Sequence, residues 1–174
     1  MLIFLLGFMG SGKSHCGKKL AVHLGVPFID LDEEIEREEK KTISNLFSEE
    51  GEGEFRKIEA ATLRAFAIKY SVDRNDVDAV ISCGGGTPCF HDNMDFMNKH
   101  GLTVWMNPTV QTLVDRLKKE QDHRPLIAGF SEDELEKFIT HKLKERALFY
   151  NKATLHINNN DCSIELIEKK LKNE

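Results

Sequence analysis

Short apolar runs alternate with longer segments of helical periodicity along this chain. Leu2 to Leu6 is apolar at every position, which is typical of a strand buried on both faces of a parallel sheet. The segment from Lys13 to Leu24 has helical periodicity and meets Gly25, a residue type that commonly ends helices. The predicted strands are 2–6, 26–29, 77–82, 102–106 and 153–157. The predicted helices are 13–24, 33–39, 54–69, 92–100, 108–120, 131–148 and 161–171.

This alternation predicts an α/β fold, a three-layer αβα sandwich around a five-stranded parallel sheet. Two of the helix starts carry local signals. Asn107 and Pro108 are suited to be the N-cap and the first residue of the fifth helix. Ser131 and Glu134 have the spacing of a capping box at the start of the sixth. No linker rich in Pro, Gly or Ser divides the chain, so we expect one domain over residues 1–174.

Length and composition agree with this expectation and narrow the range of partners. The 174 residues, 40% hydrophobic and 30% charged, are enough to build the core of one globular domain. The formal net charge is -5, from 24 Lys and Arg against 29 Asp and Glu. Because bulk negative charge disfavours nucleic acids and anionic membranes, neither is expected as a partner. A local pocket for a small anion remains compatible with this charge.

The N-terminus and the cysteines bear on the cellular compartment. The apolar stretch 1–9 has no basic leader and runs directly into a glycine-rich turn. A buried strand is therefore favoured over a signal peptide, and a cytoplasmic location is predicted. The chain has four cysteines, Cys16, Cys83, Cys89 and Cys162. Their spacing does not match a zinc knuckle, so we predict free thiols in a reducing cytosol; the alternative is a metal site formed by Cys83, Cys89 and His91.

A phosphate-binding motif follows the first predicted strand. Residues 7–14, GFMGSGKS, match G-x-x-x-x-G-K-[ST] between a strand and a helix, which is the expected context. Its backbone N–H groups would surround phosphates, Lys13 would reach the β- and γ-phosphates, and the Ser14 hydroxyl would be a ligand for Mg²⁺. The alternative, a glycine turn without nucleotide, needs a chance match expected in about one of two hundred such chains. The predicted nucleotide-binding residues of this segment are Gly10, Ser11, Gly12, Lys13, Ser14 and His15.

Two missing motifs narrow the class of nucleotide-binding protein. A guanine-specific Asn-Lys-x-Asp is missing, because neither Asn98-Lys99 nor Asn151-Lys152 has an Asp two residues further on. The strand residues 79–82 lead into three glycines rather than ending in the Asp or Glu of motor-type ATPases. A small-molecule kinase is therefore favoured over a switch GTPase or a mechanical ATPase.

Two acids and one arginine supply candidate chemistry beside the phosphate loop. Asp30 and Asp32 close the second predicted strand, at the sheet edge where parallel α/β folds bind ligands. One would hold hydrated Mg²⁺ and the other would orient an acceptor hydroxyl or accept its proton. The alternative is a pair of acids that only stabilises a helix N-terminus. The segment 121–131 is predicted to be a loop, and Arg124 within it is suited to a lid that excludes water from a bound triphosphate.

Together these motifs resemble those of the shikimate kinase family, over residues 6–153. The matching segments are GFMGSGKS at 7–14, DLD at 30–32, GEGEFRKIE at 51–59, GGG at 84–86, RPL at 124–126 and ERALFYNKA at 145–153. The first motif is widely shared, whereas the ordered set is specific to this family. The resemblance implies a P-loop nucleoside-kinase-like fold, with a mobile lid over about 118–131 and a shikimate-binding region over about 31–60.

The resemblance also implies roles for the nucleotide-side residues. Lys13 would bind the transferring phosphoryl group, and Ser14 and, through water, Asp30 would hold Mg²⁺. Arg124 would enter with the lid and offset charge on that phosphate. Arg116 would stack on the adenine of ATP.

On the acceptor side, the resemblance implies that Asp32 hydrogen-bonds the 3-hydroxyl of shikimate and acts as a base or an orienting group. Arg56 and Arg146 would grip the shikimate carboxylate, a task suited to guanidinium groups. The other acceptor-side residues that it implies are Glu59, Gly84, Gly85 and Gly86, with Phe47 and Phe55 along the apolar side.

The implied activity is transfer of the ATP γ-phosphoryl group to the 3-hydroxyl of shikimate by a monomeric enzyme. Shikimate 3-phosphate and ADP would be the products, in the route to chorismate and the aromatic amino acids. The alternatives are a related gluconate- or nucleotide-type kinase and a nucleotide-binding module without catalysis. The chain departs from the family pattern at His15, at the bulkier Thr87-Pro88 after the glycines, and at Asn158-Asn159-Asn160 after the last strand.

Overall fold

The predicted strands all form, and they make one parallel sheet. They are β1 (Leu2–Leu6), β2 (Phe28–Asp30), β3 (Ala79–Ser82), β4 (Gly101–Met106) and β5 (Leu155–Ile157). The sheet order is β2-β3-β1-β4-β5. In this computed structural model, which describes residues 1–70, 76–121, 124–158 and 162–172, all five residues of the central strand β1 are buried. The continuous apolar run at the start of the chain is therefore explained by burial on both faces.

Helices cover both faces of the sheet. They are α1 (Lys13–Leu24), α2 (Leu31–Glu39), α3 (Ile43–Tyr70), α4 (Asn93–His100), α5 (Val110–Lys118), α6 (Glu132–Tyr150) and α7 (Ile164–Leu171). Successive side chains of β1 point to opposite faces. Phe4 packs in a core cluster with residues of α2, α3 and α4, whereas Ile3 and Leu5 pack in a second cluster with residues of α1 and α7. The prediction of a three-layer α/β fold is confirmed.

No helix within the described ranges has the length and apolar character needed to cross a membrane.

The strand register brings the functional segments to one edge of the sheet. Leu5 of β1 pairs with Ser82 of β3, and Asp30 of β2 pairs with the same Ser82. Leu6 pairs with Trp105 of β4 on the other side of β1. Because all strands are parallel, the chain leaves the sheet at this edge into the phosphate loop, the acidic pair and the glycine-rich turn.

The start of α5 differs from its prediction. The N-cap is Thr109, whose side chain accepts a hydrogen bond from the backbone N–H of Thr112, and not Asn107. The N–H of Asn107 donates to Ile157 O at 2.8 Å, so sheet pairing keeps this residue outside the helix. Pro108 consequently precedes the cap. The Ser131–Glu134 capping box is confirmed at the start of α6.

The helix predicted over 54–69 is part of a longer element. α3 runs over Ile43–Tyr70, with a break at Gly51, where φ is 83°. Two glycines and four acids within 49–54 hide the helical periodicity of this stretch, and the left-handed backbone at Gly51 separates two helical arms. Both arms carry side chains of the candidate site.

The prediction of free thiols is wrong for two of the four cysteines. Cys16 of α1 and Cys162, just before α7, form a disulfide with a Cα–Cα distance of 5.1 Å across 146 residues of sequence. Packing of α1 and α7 on the same face of the sheet brings them together, which no local spacing could indicate. Cys83 and Cys89 are free thiols. The alternative of a metal site with His91 finds no support, since the described residues contain no cluster of three or more His, Cys, Asp or Glu suited to a metal ion.

Candidate active site

A cavity of about 570 Å³ opens at the carboxyl edge of the sheet. It lies between the phosphate loop, the ends of β2 and β3, and α5 with the segment that follows it. The predicted site residues that line it are Gly10, Ser11, Gly12, Lys13, Ser14, His15, Asp30, Asp32, Gly84, Gly85, Arg116 and Arg124. The other predicted site residues, which contact the glycine turn beside this cavity, are Arg56, Glu59, Gly86 and Arg146. All predicted site residues therefore meet in one region of the fold.

The phosphate loop is shaped by two glycines and crossed by one lysine. Gly12 is the N-cap residue of α1 with φ 93°, a left-handed conformation that favours glycine. A Cβ on Gly7 would lie 2.5 Å from Met106 O, so only glycine allows this approach to β4. Lys13 Nζ donates to Gly7 O and to Phe8 O at 2.9 Å each. Burial lowers the pKa of Lys13 from 10.5 to about 8, against the opposing effect of nearby carboxylates.

The acidic pair begins α2 directly after β2. Asp30 is the N-cap of α2, and its side chain accepts from the N–H of Asp32 at 3.2 Å. Its other oxygen accepts from Ser14 Oγ at 2.7 Å. Burial, and then the carboxylates of Asp30 and Glu59, raise the pKa of Asp32 from 3.8 to about 6.

The chemistry of the donors fits a magnesium ion. Ser14 and Asp30 present oxygen atoms side by side on the cavity wall. Mg²⁺ takes oxygen ligands, keeps several waters, and is usually held by one or two protein groups together with substrate phosphates. Two protein oxygens next to a phosphate loop satisfy that pattern.

Arg56 is surrounded by acidic and aromatic side chains beside the glycine turn. It lies on α3, is 8% exposed, and donates to Glu59 at 2.9 Å and to Glu52 at 3.1 Å. Its guanidinium carbon lies 5.6 and 5.1 Å from the ring centroids of Phe47 and Phe55, the two rings predicted along the apolar side. A third ring, that of Phe90, lies at 4.5 Å and was not identified from the sequence. Three rings therefore hold the guanidinium plane by cation–π contact.

The three glycines after β3 let charged groups converge. A Cβ on Gly84 would lie 3.0 Å from both Asp32 Oδ1 and Glu59 Oε1. On Gly85 it would lie 2.8 Å from Arg146 Nη1, and on Gly86 2.5 Å from Arg56 Nη2. Side chains at these positions would displace the charged groups, which is why a turn without side chains stands here.

Three arginines have defined partners. Arg116 Nη1 donates to Gly10 O at 3.0 Å, so it braces the phosphate loop from α5. Arg124 donates to Glu120 Oε2 through Nε at 2.9 Å and through Nη2 at 2.6 Å. The guanidinium of Arg146 lies 5.4 Å from the centroid of the Phe8 ring.

Several supporting residues of the site are not indicated by the sequence motifs. Tyr150 is fully buried and its hydroxyl donates to Gly85 O at 2.5 Å. Thr87 donates to Glu59 Oε1 at 2.6 Å. Glu120, the partner of Arg124, had no helical signal, because it follows the end of α5 and Arg124 falls in the predicted loop. The other two contacts join distant segments and had no local signal either.

The segment after β5 can be followed only in part. Asn158 accepts a hydrogen bond from Asn107 Nδ2 at 3.1 Å, which ties the loop to the end of β4. Asn159 and Asn160 lie outside the described residues. His15, the departure within the phosphate loop, is exposed at the start of α1.

Sequence comparisons with known proteins identify relatives along most of the chain. A family model described as shikimate kinase matches residues 9–173. A shikimate kinase from Bacteroides thetaiotaomicron is 46% identical over 151 residues, which cover 87% of this chain and 82% of that protein. A shikimate kinase from Flavobacterium psychrophilum is 37% identical over 154 residues, which cover 86% and 84%.

Comparison with solved structures identifies the same family. The crystal structure of shikimate kinase from Bacteroides thetaiotaomicron has a TM-score of 0.87 and 42% identity, and the match covers 99% of this chain and 97% of that one. Shikimate kinase from Acinetobacter baumannii in complex with shikimate has a TM-score of 0.80 and 31% identity, with 98% and 90% covered. A deoxyadenosine kinase from M. mycoides, at 0.57 and 15%, shares the fold alone. This chain belongs to the shikimate kinase family.

Proposed function

We propose that this enzyme transfers the γ-phosphoryl group of ATP to the 3-hydroxyl of shikimate and forms shikimate 3-phosphate and ADP. One observation carries the proposal: a phosphate loop and a pair of buried or stacked arginines meet on the two sides of a glycine turn that contacts Asp32. The phosphate loop suits a triphosphate, and the pair of arginines suits a carboxylated polyol. A relative solved in complex with shikimate supports the choice of acceptor.

On the nucleotide side, residues 10–15 surround the phosphates of ATP and Lys13 contacts the transferring group. Ser14 and, through water, Asp30 hold Mg²⁺, which when bound neutralises charge on the phosphate oxygens. Within the predicted lid range 118–131, residues 122 and 123 lie outside the described residues. Arg116 stacks on adenine, and Arg124 comes with the lid to the transferring phosphate. To do so, Arg124 has to leave Glu120, so lid closure exchanges one ion pair for another.

On the acceptor side, Asp32 orients the 3-hydroxyl and accepts its proton. Arg56 and Arg146 bind the carboxylate, and Glu59 holds Arg56 in place at 2.9 Å. Backbone groups of the turn 84–86 contact the ring, where no side chain separates it from the charged groups. The protein contributes mainly position and charge, because phosphoryl transfer requires little covalent chemistry from an enzyme.

The wider setting belongs to the same proposal. We propose one kinase domain over the whole chain, with the shikimate-binding region within 31–60, acting as a monomer in the cytoplasm. The monomer is supported by the scatter of the exposed large apolar side chains among the described residues. Val22, Ile68, Leu148 and Leu166 lie on four different α-helices, and Phe90 and Leu126 lie outside these helices. A cytoplasmic location is supported by the use of ATP.

The decisive assay measures ADP release with a panel of acceptors. Shikimate is expected to stimulate release, whereas gluconate and nucleosides leave it at the background rate. Stimulation by gluconate or a nucleoside without stimulation by shikimate would assign the enzyme to a related kinase class. Tight ATP binding without turnover on any acceptor would instead indicate a nucleotide-binding module.

The pH profile is expected to have an acidic limb set by Asp32. Because its pKa is raised to about 6, the carboxylate gains a proton as the pH falls below that value and can no longer accept one from the hydroxyl. kcat/KM for shikimate should therefore fall about tenfold per pH unit below this point. Steady-state rates between pH 5 and 8, roughly, would measure it. The surface variant Asp115→Asn should keep the limb, and a flat profile down to pH 5 would contradict the assignment.

Substitution of Gly86 by alanine tests the glycine turn. The new Cβ would lie 2.5 Å from Arg56 Nη2, so the guanidinium has to move away from the carboxylate position. We expect the KM for shikimate to rise about tenfold, a loss typical of one misplaced charged contact, with the KM for ATP unchanged. The control is Gly53→Ala in α3, where a Cβ meets nothing within 4 Å. That variant should keep wild-type kinetics and gain about 0.5–1 kcal/mol of stability. Equal effects of the two variants would rule out a special role of the turn.

A further inference from the structure

The carboxylate of Glu59 is buried between two donors. Its residue is 0% exposed on α3. Oε2 accepts from Arg56 Nη1 at 2.9 Å, and Oε1 accepts from Thr87 Oγ1 at 2.6 Å. A buried carboxylate is held in one orientation only while both of its oxygens have partners. The second donor therefore matters as much to the position of Glu59 as the arginine does.

Thr87 is itself buried, and its backbone and its side chain are both hydrogen-bonded. It is 0% exposed and begins the short 3₁₀ helix Thr87–Cys89 immediately after the glycine turn. Its N–H donates to Gly84 O at 3.1 Å, and its carbonyl accepts from Asn93 Nδ2 at 3.0 Å. Asn93, also 0% exposed, in turn accepts from Arg64 Nη1 of α3 at 2.7 Å. The hydroxyl is thus presented from a rigid backbone, and its single proton is directed at Glu59.

We propose that Thr87 is a positioning residue for the acceptor, which acts by holding Glu59 so that Arg56 faces the shikimate carboxylate; this rests on the proposed function. Glu52 and Glu59 draw the guanidinium from two sides, at 3.1 and 2.9 Å. Glu52 is largely exposed and is a weak restraint, whereas Glu59 is buried and is held by Thr87. Without the hydroxyl, Oε1 of Glu59 loses its partner and the carboxylate turns, which releases Arg56 from its orientation.

The bulkier residue after the glycines supplies this donor. A small residue such as alanine at position 87 would leave Oε1 of Glu59 without this donor. Serine would retain the donor and remove only a methyl group, and valine would retain the shape and remove the donor. These two substitutions separate hydrogen bonding from packing at a site where both are tight.

The experiment compares Thr87→Val and Thr87→Ser with the wild-type enzyme. A hydrogen bond to a charged group corresponds to about a ten- to hundredfold effect, so Thr87→Val should raise the KM for shikimate by that factor. The KM for ATP should change less than about twofold, and kcat at saturating shikimate less than about threefold, because uniform binding is lost rather than transition-state contacts. Thr87→Ser should lie within about threefold of wild type in every constant.

A double-mutant cycle with Glu59→Gln completes the test and does not depend on one variant folding well. If Thr87 acts through Glu59, its substitution by valine adds nothing to the KM for shikimate in the Glu59→Gln background. The inference is overturned if Thr87→Val keeps the wild-type KM, if Thr87→Ser is equally impaired, or if the two effects multiply. A wild-type enzyme with no shikimate-dependent turnover would overturn the proposed function together with this inference, whereas the outcomes above overturn the inference alone.

Discussion

Replacing Asp32 with asparagine is expected to lower kcat for shikimate phosphorylation by about a thousandfold, the usual contribution of a positioned general base. The amide is nearly the same shape but cannot accept the proton of the 3-hydroxyl. ATP binding should persist, because Asp32 is not among the residues that bind its phosphates in the proposed site. Steady-state kinetics with shikimate, together with direct binding of ATP, would measure both. Near-full activity would remove Asp32 from the mechanism.

The same substitution should stabilise the protein. The pKa of Asp32 is raised from 3.8 in an ordinary setting to about 6 in the fold, so the folded state holds the proton more tightly. Wild-type stability therefore falls as the pH rises from 3.8 through 6 and stays lower above it. Asparagine has no charge to bury, so at neutral pH the unfolding free energy should rise by about 1–3 kcal/mol. Denaturant unfolding at low and neutral pH would show the gain only at the higher pH.

Asp115→Asn is the control for both measurements. Asp115 is exposed on α5 and accepts a hydrogen bond from Gln111 at 2.9 Å. Its substitution should leave kcat within about twofold and stability within about 0.5 kcal/mol. If Asp32→Asn loses activity and gains stability while Asp115→Asn changes neither, then Asp32 is needed for activity although it destabilises the folded state.

Removal of the Arg56 guanidinium is expected to raise the KM for shikimate by about a hundredfold or more, since a charged hydrogen-bonded partner of the carboxylate is lost. The single variant Arg56→Met also leaves Glu59 buried without its cation, which should cost about 3–5 kcal/mol of stability. The double variant Arg56→Met/Glu59→Gln removes both charges and should recover most of that stability. It should not recover the KM, because no guanidinium is restored.

Arg37→Met is the matched control, because Arg37 is an exposed arginine of α2 that pairs with Glu34. In this variant the KM for shikimate, kcat and the unfolding free energy should all stay near the wild-type values, because surface ion pairs usually contribute little. Kinetics and urea unfolding on all three variants would separate binding from stability. If the double variant recovered the KM, Arg56 would act only by neutralising Glu59.

Much of the fold was predictable because its signals are local. The buried run of β1, the glycine at the end of α1 and the capping box of α6 are each decided within a few residues, and each matches the structure. The start of α5 was not predictable from local signals, because the backbone pairing of Asn107 with β5 outweighs the preference of asparagine for an N-cap position. The break in α3 at Gly51 was hidden for a similar reason, since its two arms are stabilised by packing rather than by an unbroken periodicity.

The same distinction between local and long-range signals applies to the candidate site. The phosphate loop and the acidic pair follow from motifs, because strand ends of a parallel sheet meet at one edge. The ring of Phe90 over Arg56 and the bond from Thr87 to Glu59 join segments separated by about thirty residues, so only the folded chain shows them. The Cys16–Cys162 bond, across 146 residues, is the extreme case.

That bond turns most of the oxidised polypeptide into a covalent ring. β2, β3, β4 and β5 lie inside the ring, whereas β1 and α7 are its two tails. A single proteolytic cut anywhere between the two cysteines, the lid included, would open the ring and yet leave both pieces attached to each other. Such a nicked molecule would keep its mass on a gel until a reductant separated the fragments, so its backbone could be broken at one place without losing a part.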